Sequence, residues 1–170
     1  MYVSWPIVIG LGSYHGDDQA GWLVISRLRE RSVPEVRLAC LQHPSELLDV
    51  IEADRDLVIC DACVGNEPTG SIHQWTWEPG QIIQHRHSES DENRIHRKDR
   101  DLPHQHRSGS HNLSLFDVLE LGYSLGTFPE SVEIWTIEGE FWVPGTEPSV
   151  RVQSASVSVA DSIWERHRHA

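Results

Sequence analysis

Three places in this chain carry side chains whose types and settings could hold a metal ion and do chemistry with it. Asp17 and Asp18 end the turn Gly10-Leu11-Gly12-Ser13-Tyr14-His15-Gly16, which separates an apolar run from a helical stretch. Asp61 follows the apolar residues 57–60, and His111 lies in Gly109-Ser110-His111-Asn112-Leu113, ahead of another helical stretch. Each stands at a strand-to-loop or loop-to-helix junction. In open parallel sheets, ligands gather beyond the carboxyl ends of the strands, so Asp18, Asp61 and His111 can face one edge. Two carboxylates and an imidazole suit a borderline divalent ion such as nickel or zinc, and three ligands leave coordination positions open. Taken singly, each residue has a plainer reading. Asp17 or Asp18 can cap the helix, Asp61 can cap or form an ion pair, and His111 can be a surface histidine.

Other motifs lead elsewhere and are weaker. The glycine-rich turn is superficially like a dinucleotide fingerprint, but it is one residue too long. Its two aspartates also occupy the helix N-terminus where a pyrophosphate would need free N–H groups. Cys60-Asp61-Ala62-Cys63 has redox spacing, yet Val64-Gly65-Asn66-Glu67-Pro68 follows instead of a helix, so these read as ordinary thiols. The pairs His85/His87, His104/His106 and His167/His169 are close in sequence, but flexible pairs bind metal weakly.

The elements that must position these groups follow from periodicity. Residues 7–10 form a β-branched apolar run ending in glycine, as expected of a buried parallel strand. Trp22, Leu23, Ile25 and Leu28 recur at helical spacing, predicting a helix over about 18–31 capped by Asp17 or Asp18. Residues 36–41 read as a second strand, Pro44-Ser45-Glu46 opens a short helix through Ile51, and residues 57–60 form a third strand. Residues 72–77, bounded by turn residues, read as an edge strand. From 84 to 110 large aliphatics nearly vanish while Arg, His and acids crowd together, predicting a long mobile loop over about 78–110. A helix of about three turns follows from Ser110. A strand over 132–137, a loop over 139–148 and a closing helix over 149–168 complete the chain. Strands alternating with helices make this a single α/β domain spanning 1–170. The expected architecture is a three-layer sandwich with an about five-stranded, mostly parallel sheet and helices on both faces.

Composition narrows the function. With 170 residues, 38% of them hydrophobic, the chain can build one core. Its formal net charge of -12 opposes binding to nucleic acid. No run approaches the roughly 20 apolar residues of a membrane span, so a soluble, cytoplasmic protein is expected. Three cysteines make a disulfide framework improbable for this size.

These residues resemble a known family. Gly10-Leu11-Gly12, Asp17-Asp18 four residues later and Gly21 form a first block; Asp61-Ala62 closing a strand forms a second; Ser110-His111-Asn112-Leu113-Ser114-Leu115 forms a third. In order, spacing and context they are similar to the hydrogenase maturation proteases, endopeptidases that trim the C-terminus of [NiFe]-hydrogenase large-subunit precursors. Gln42-His43-Pro44-Ser45-Glu46-Leu47 is similar to a Gln-x-x-Pro-Glu-Leu segment of one branch, with the proline displaced by one. The resemblance implies a monomer with a metal-binding triad at Asp18, Asp61 and His111, and a partner that is the large-subunit precursor. It implies that the metal is the nickel already installed in that precursor, with zinc or cadmium able to substitute. Asp17, beside the first ligand, is the candidate for activating water, alongside polarisation of the scissile carbonyl by the metal. A noncatalytic nickel-binding chaperone or carrier could use the same ligands. The sequence departs from the family at Ser13, where Asn is usual, and at Gln19, where Gly is frequent. The segment 78–110 is longer and richer in His and Arg, and its expected role is to fold over the precursor's C-terminal tail.

Overall fold

The computed structural model describes residues 5–53, 55–85, 95–97 and 113–168. Its sheet is built from β1 (Ile7–Leu11), β2 (Leu38–Leu41), β3 (Leu57–Cys63), β4 (Ile72–Glu78), β5 (Gln81–His85), β6 (Ile95–Arg97) and β7 (Val132–Glu138). The helices are α1 (Ala20–Glu30), α2 (Leu47–Val50), α3 (Leu115–Ser124) and α4 (Val150–His167), with single 3-10 turns at Gly16–Gln19, Glu35–Arg37 and Pro44–Glu46. The strand order is β2-β1-β3-β7-β4-β5-β6. The first four strands of that order are parallel, and β4, β5 and β6 each run antiparallel to their neighbour.

β3 is buried at every position because helices cover both of its faces, which is why its sequence begins as a continuous apolar run. One layer packs α1 and α4 through Val24, Ile25, Val159 and Ile163 against Val8, Val58 and Trp135. The opposite layer packs α2 and α3 through Leu47, Leu115 and Leu119 against Ile9, Ile59, Ile134, Trp75 and Trp77. This is the expected three-layer α/β sandwich. Among the described residues, no helix is long and apolar enough to cross a membrane.

The structure corrects several expectations. The sheet has seven strands rather than about five, because β5 and β6 fall inside the stretch read as a loop over 78–110. Ile82 and Ile83 are buried in β5, and main-chain pairing to β4 supplies what the polar composition concealed. β4 is consequently an interior strand between β7 and β5, not an edge. Residues 86–94 and 98–112, including most of the histidine-rich segment, lie outside the described residues. Neither Asp17 nor Asp18 caps α1: both lie in the preceding 3-10 turn, and α1 starts at Ala20 after Gln19, which makes no side-chain cap. α3 starts later than Ser110, at Leu115. There Ser114 Oγ accepts the Asp117 N–H at 3.1 Å and the Asp117 carboxylate accepts the Ser114 N–H at 3.2 Å, a reciprocal capping box.

Candidate active site at the carboxyl edge of the sheet

The site begins with how closely α1 lies on the sheet. A Cβ on Gly21 would sit 2.3 Å from the Leu11 carbonyl oxygen and 2.4 Å from that of Cys60; one on Gly10 would sit 2.3 Å from the Gly21 oxygen. Glycine at both positions therefore lets the first turn of α1 rest directly on the ends of β1 and β3. Gly12 does the same for the turn ahead of α1, since a Cβ there would meet the Asp18 oxygen at 2.2 Å. Asp18 is thereby held at the crest of β1, next to the strand that carries Asp61.

Asp18 is half-buried, and its Oδ2 accepts a hydrogen bond from Ser13 Oγ. The Ser13 hydroxyl has one proton. With that proton given to Asp18, the 2.6 Å contact to His15 is an Nδ1–H of His15 donating to Ser13 Oγ. Ser13, where the resembling family has Asn, is thus the group that orients Asp18. Asp61 is 7% exposed, lies within β3 rather than beyond it, and its Oδ1 accepts the Ala62 N–H at 2.8 Å. Its cross-strand partner is Thr136, whose hydroxyl accepts the Trp75 indole N–H at 3.0 Å. Burying a carboxylate in this way is costly unless hydrogen bonds or a cation meet it. The structure places Asp18 in the turn that follows β1 and Asp61 within the adjacent parallel strand β3, and their oxygen donors fit a divalent ion. His111 lies outside the described residues. Among the described residues, no three His, Cys, Asp or Glu side chains form a metal-holding group.

Asp17 has different surroundings from those expected of a water-activating base. It is fully buried; Oδ2 accepts the Glu140 and Phe141 N–H groups at 2.9 and 3.1 Å, and Oδ1 accepts the Ser149 N–H at 2.6 Å. Its own N–H donates to the Phe141 carbonyl at 2.7 Å. The bonds tie the turn ahead of α1 to the loop between β7 and α4, which also pairs Pro144 with His15. The joined loops leave Tyr14, Phe141 and Val143 exposed at the rim. Beside them opens a cleft of about 590 Å³ lined by Tyr14, Trp22, Arg29, Cys40, Gln42 and Glu46. Gln42 and Glu46 belong to the segment singled out in the sequence.

The remaining motifs resolve structurally. Three residues apart on a strand, Cys60 and Cys63 project to opposite faces, and both are free thiols. Burial, with nearby acids, pushes both thiols far up, so neither is a ready nucleophile. The His85 ring contacts Thr76 Oγ1 at 2.7 Å through Nε2, while His87, His104, His106 and His169 lie outside the described residues.

A pair the sequence reading missed lies on the Asp61 face. His73 Nε2 lies 3.3 Å from Glu138 Oε1, with side-chain exposures of 15% and 4%. The available signal was alternation: His73 is in phase with Trp75 and Trp77, whose burial turns it toward the same interior.

No family model matches the sequence, and no curated protein matches it. Solved structures do match in fold. Hydrogenase maturating endopeptidase HybD from E. coli is 20% identical over 95% of this chain and 91% of its own, with a TM-score of 0.64. The [NiFe] hydrogenase maturation protease HycI from Thermococcus kodakarensis KOD1 is 20% identical over 96% and 93%, with a TM-score of 0.60. Hydrogenase 2 maturation peptidase from a Thaumarchaeota archaeon is 18% identical over 94% and 95%, with a TM-score of 0.56. The family resembled in sequence is therefore also the one whose fold this chain shares.

Proposed function

We propose that this chain is an endopeptidase that removes a C-terminal peptide from a nickel-loaded [NiFe]-hydrogenase large-subunit precursor. The observation that carries the reading is the placement of Asp18 in the turn after β1, beside the parallel strand β3 that carries Asp61, in a chain with the fold of named maturation endopeptidases. In this reading Asp18, Asp61 and His111 bind the nickel carried by the substrate, and the protein holds no metal of its own. Three protein ligands leave room for the groups the ion brings with it, so an empty precursor binds more weakly than a loaded one. Ser13 fixes the Asp18 carboxylate before the substrate arrives, which reduces the ordering cost of binding. Asp17 holds the two rim loops in register and is a positioning residue, not the base.

The test is incubation of the purified protein with its precursor, nickel-loaded or nickel-free, followed by intact mass. The expected result is loss of a short C-terminal peptide from the loaded precursor alone, abolished by Asp18→Asn. Nickel binding by this chain with no cleavage of either precursor would replace the endopeptidase with a noncatalytic carrier.

A further inference from the structure

The row of side chains through Asp61 continues sideways across the sheet. Asp61 pairs with Thr136 on β7, and Thr136 pairs with His73 on β4. All three project to the α3 face, because they are in phase with Ile59, Ile134 and Trp75 on their own strands. His73 therefore stands two strand spacings from Asp61, about 10 Å between Cα atoms.

The surroundings of His73 are unusual for a sheet whose neighbouring positions are tryptophan and isoleucine. Glu138 is almost fully buried, and a Cβ on Gly65 would lie 2.3 Å from its Oε1, so the loop after β3 closes over the carboxylate. Its backbone is fixed as well: the Glu138 N–H donates to the Ser71 carbonyl at 2.9 Å, and the Gly70 N–H donates to the Glu138 carbonyl at 2.8 Å. The fold thus buries an acid where an aliphatic residue would pack at less cost, and the acid faces an imidazole. On the other side of the ring, Nδ1 lies 3.4 Å from Gln84 Nε2, a long contact that an incoming group can replace. From β3, Cys63 shares this face as an uncharged thiol. The arrangement is a carboxylate holding one ring nitrogen and leaving the other for proton transfer, the relation found in nucleophile–base–orienter triads.

Proton inventory narrows the candidates. Asp17 is sealed by three backbone amides, and Asp18 and Asp61 are ligands in the proposed reading. We propose that His73, oriented by Glu138, is the proton shuttle of this site; the inference rests on the endopeptidase reading and deepens it. Water attacks the scissile carbonyl carbon and gives a proton to His73 Nδ1 as the new C–O bond forms. The C–N bond then breaks with its electron pair on nitrogen, and Nδ1 returns the proton to that nitrogen. His73 ends as it began, and the products are a carboxylic acid, which ionises in water, and an amine.

The experiment is single-turnover cleavage of saturating nickel-loaded precursor by wild type, His73→Ala, His73→Gln and Glu138→Gln. Precursor affinity and thermal melting are measured on the same samples. His73→Ala and His73→Gln are expected to slow cleavage by about 10²- to 10⁴-fold, the usual range for a general acid–base group, with affinity changed less than threefold. Added imidazole is expected to restore much of the His73→Ala rate and none of the His73→Gln rate, whose side chain fills the space. Glu138→Gln is expected to slow cleavage about tenfold. Cleavage by folded His73→Gln within threefold of wild type would overturn the shuttle alone and leave the endopeptidase standing, as would a slow His73→Ala that imidazole does not rescue. A wild type inert toward loaded precursor would overturn the endopeptidase and the shuttle together.

Discussion

Asp17 and Asp18 are neighbours with opposite fates, and the difference lies in what their oxygens meet. Asp17 spends its carboxylate on three amides contributed by residues 140, 141 and 149, while Asp18 meets a hydroxyl and stays half-buried. A carboxylate sealed by charge-assisted bonds is structural. Asp17→Asn keeps one acceptor but turns an NH₂ toward N–H donors, so it should destabilise the fold by about 2–4 kcal/mol, from lost charged hydrogen bonds and an unsatisfied buried group. Urea unfolding measures this. Below the melting range, single-turnover cleavage by Asp17→Asn should stay within about tenfold of wild type, whereas loss of a general base would cost far more. The sequence marked both acids as chemically capable because type and junction are legible in a linear chain. It could not mark which one faces a loop more than 120 residues away.

At the scale of elements, the close approach of α1 to the sheet positions Asp18, and glycine makes it possible. Gly21→Ala forces a methyl group into two carbonyl oxygens of β1 and β3, neither of which can move without breaking a parallel ladder. The expected cost is about 3 kcal/mol or more, at the upper end for overpacking. It should come with weaker binding of loaded precursor, because Asp18 moves with α1. A melting curve and a precursor titration of Gly21→Ala test both effects. Elements whose side chains announce themselves were legible in the sequence: the apolar strands β1, β3 and β7, and α4, whose observed span of Val150–His167 falls within one residue of the expected 149–168 at each end. β5 and β6 were not, because strands at the far side of a sheet are secured by main-chain bonds that leave little trace in polar residues. His73 went unread for a related reason. A lone histidine alternating with tryptophans carries no motif, and its partner Glu138 lies 65 residues away on another strand.

At the scale of the molecule, the two ends of the described chain meet at the amino edge of the sheet. Trp5, entering β1, contacts His167 near the end of α4 with ring centroids 6.0 Å apart. His167 Nε2 is buried with no hydrogen-bond partner among the described residues. Burial lowers the His167 pKa, opposed by the charges of Glu133 and Asp56 and reinforced by Arg166. The folded state therefore resists protonation of His167 more than the unfolded chain does. The sign follows from linkage. Above the unfolded value near 6.5 the ring is neutral in both states and costs nothing; as pH falls below it, the unfolded chain takes up the proton first and stability drops until the lower folded value is passed. His167→Gln removes that proton, so its urea midpoint should fall less than that of wild type between pH 7.5 and pH 5. Equal losses in the two proteins would show that acid sensitivity arises elsewhere, among the 26 acids of this chain. The comparison tests whether protonation of His167, near the C-terminal end of the helix α4 that closes the α1 layer, contributes to loss of stability on acidification.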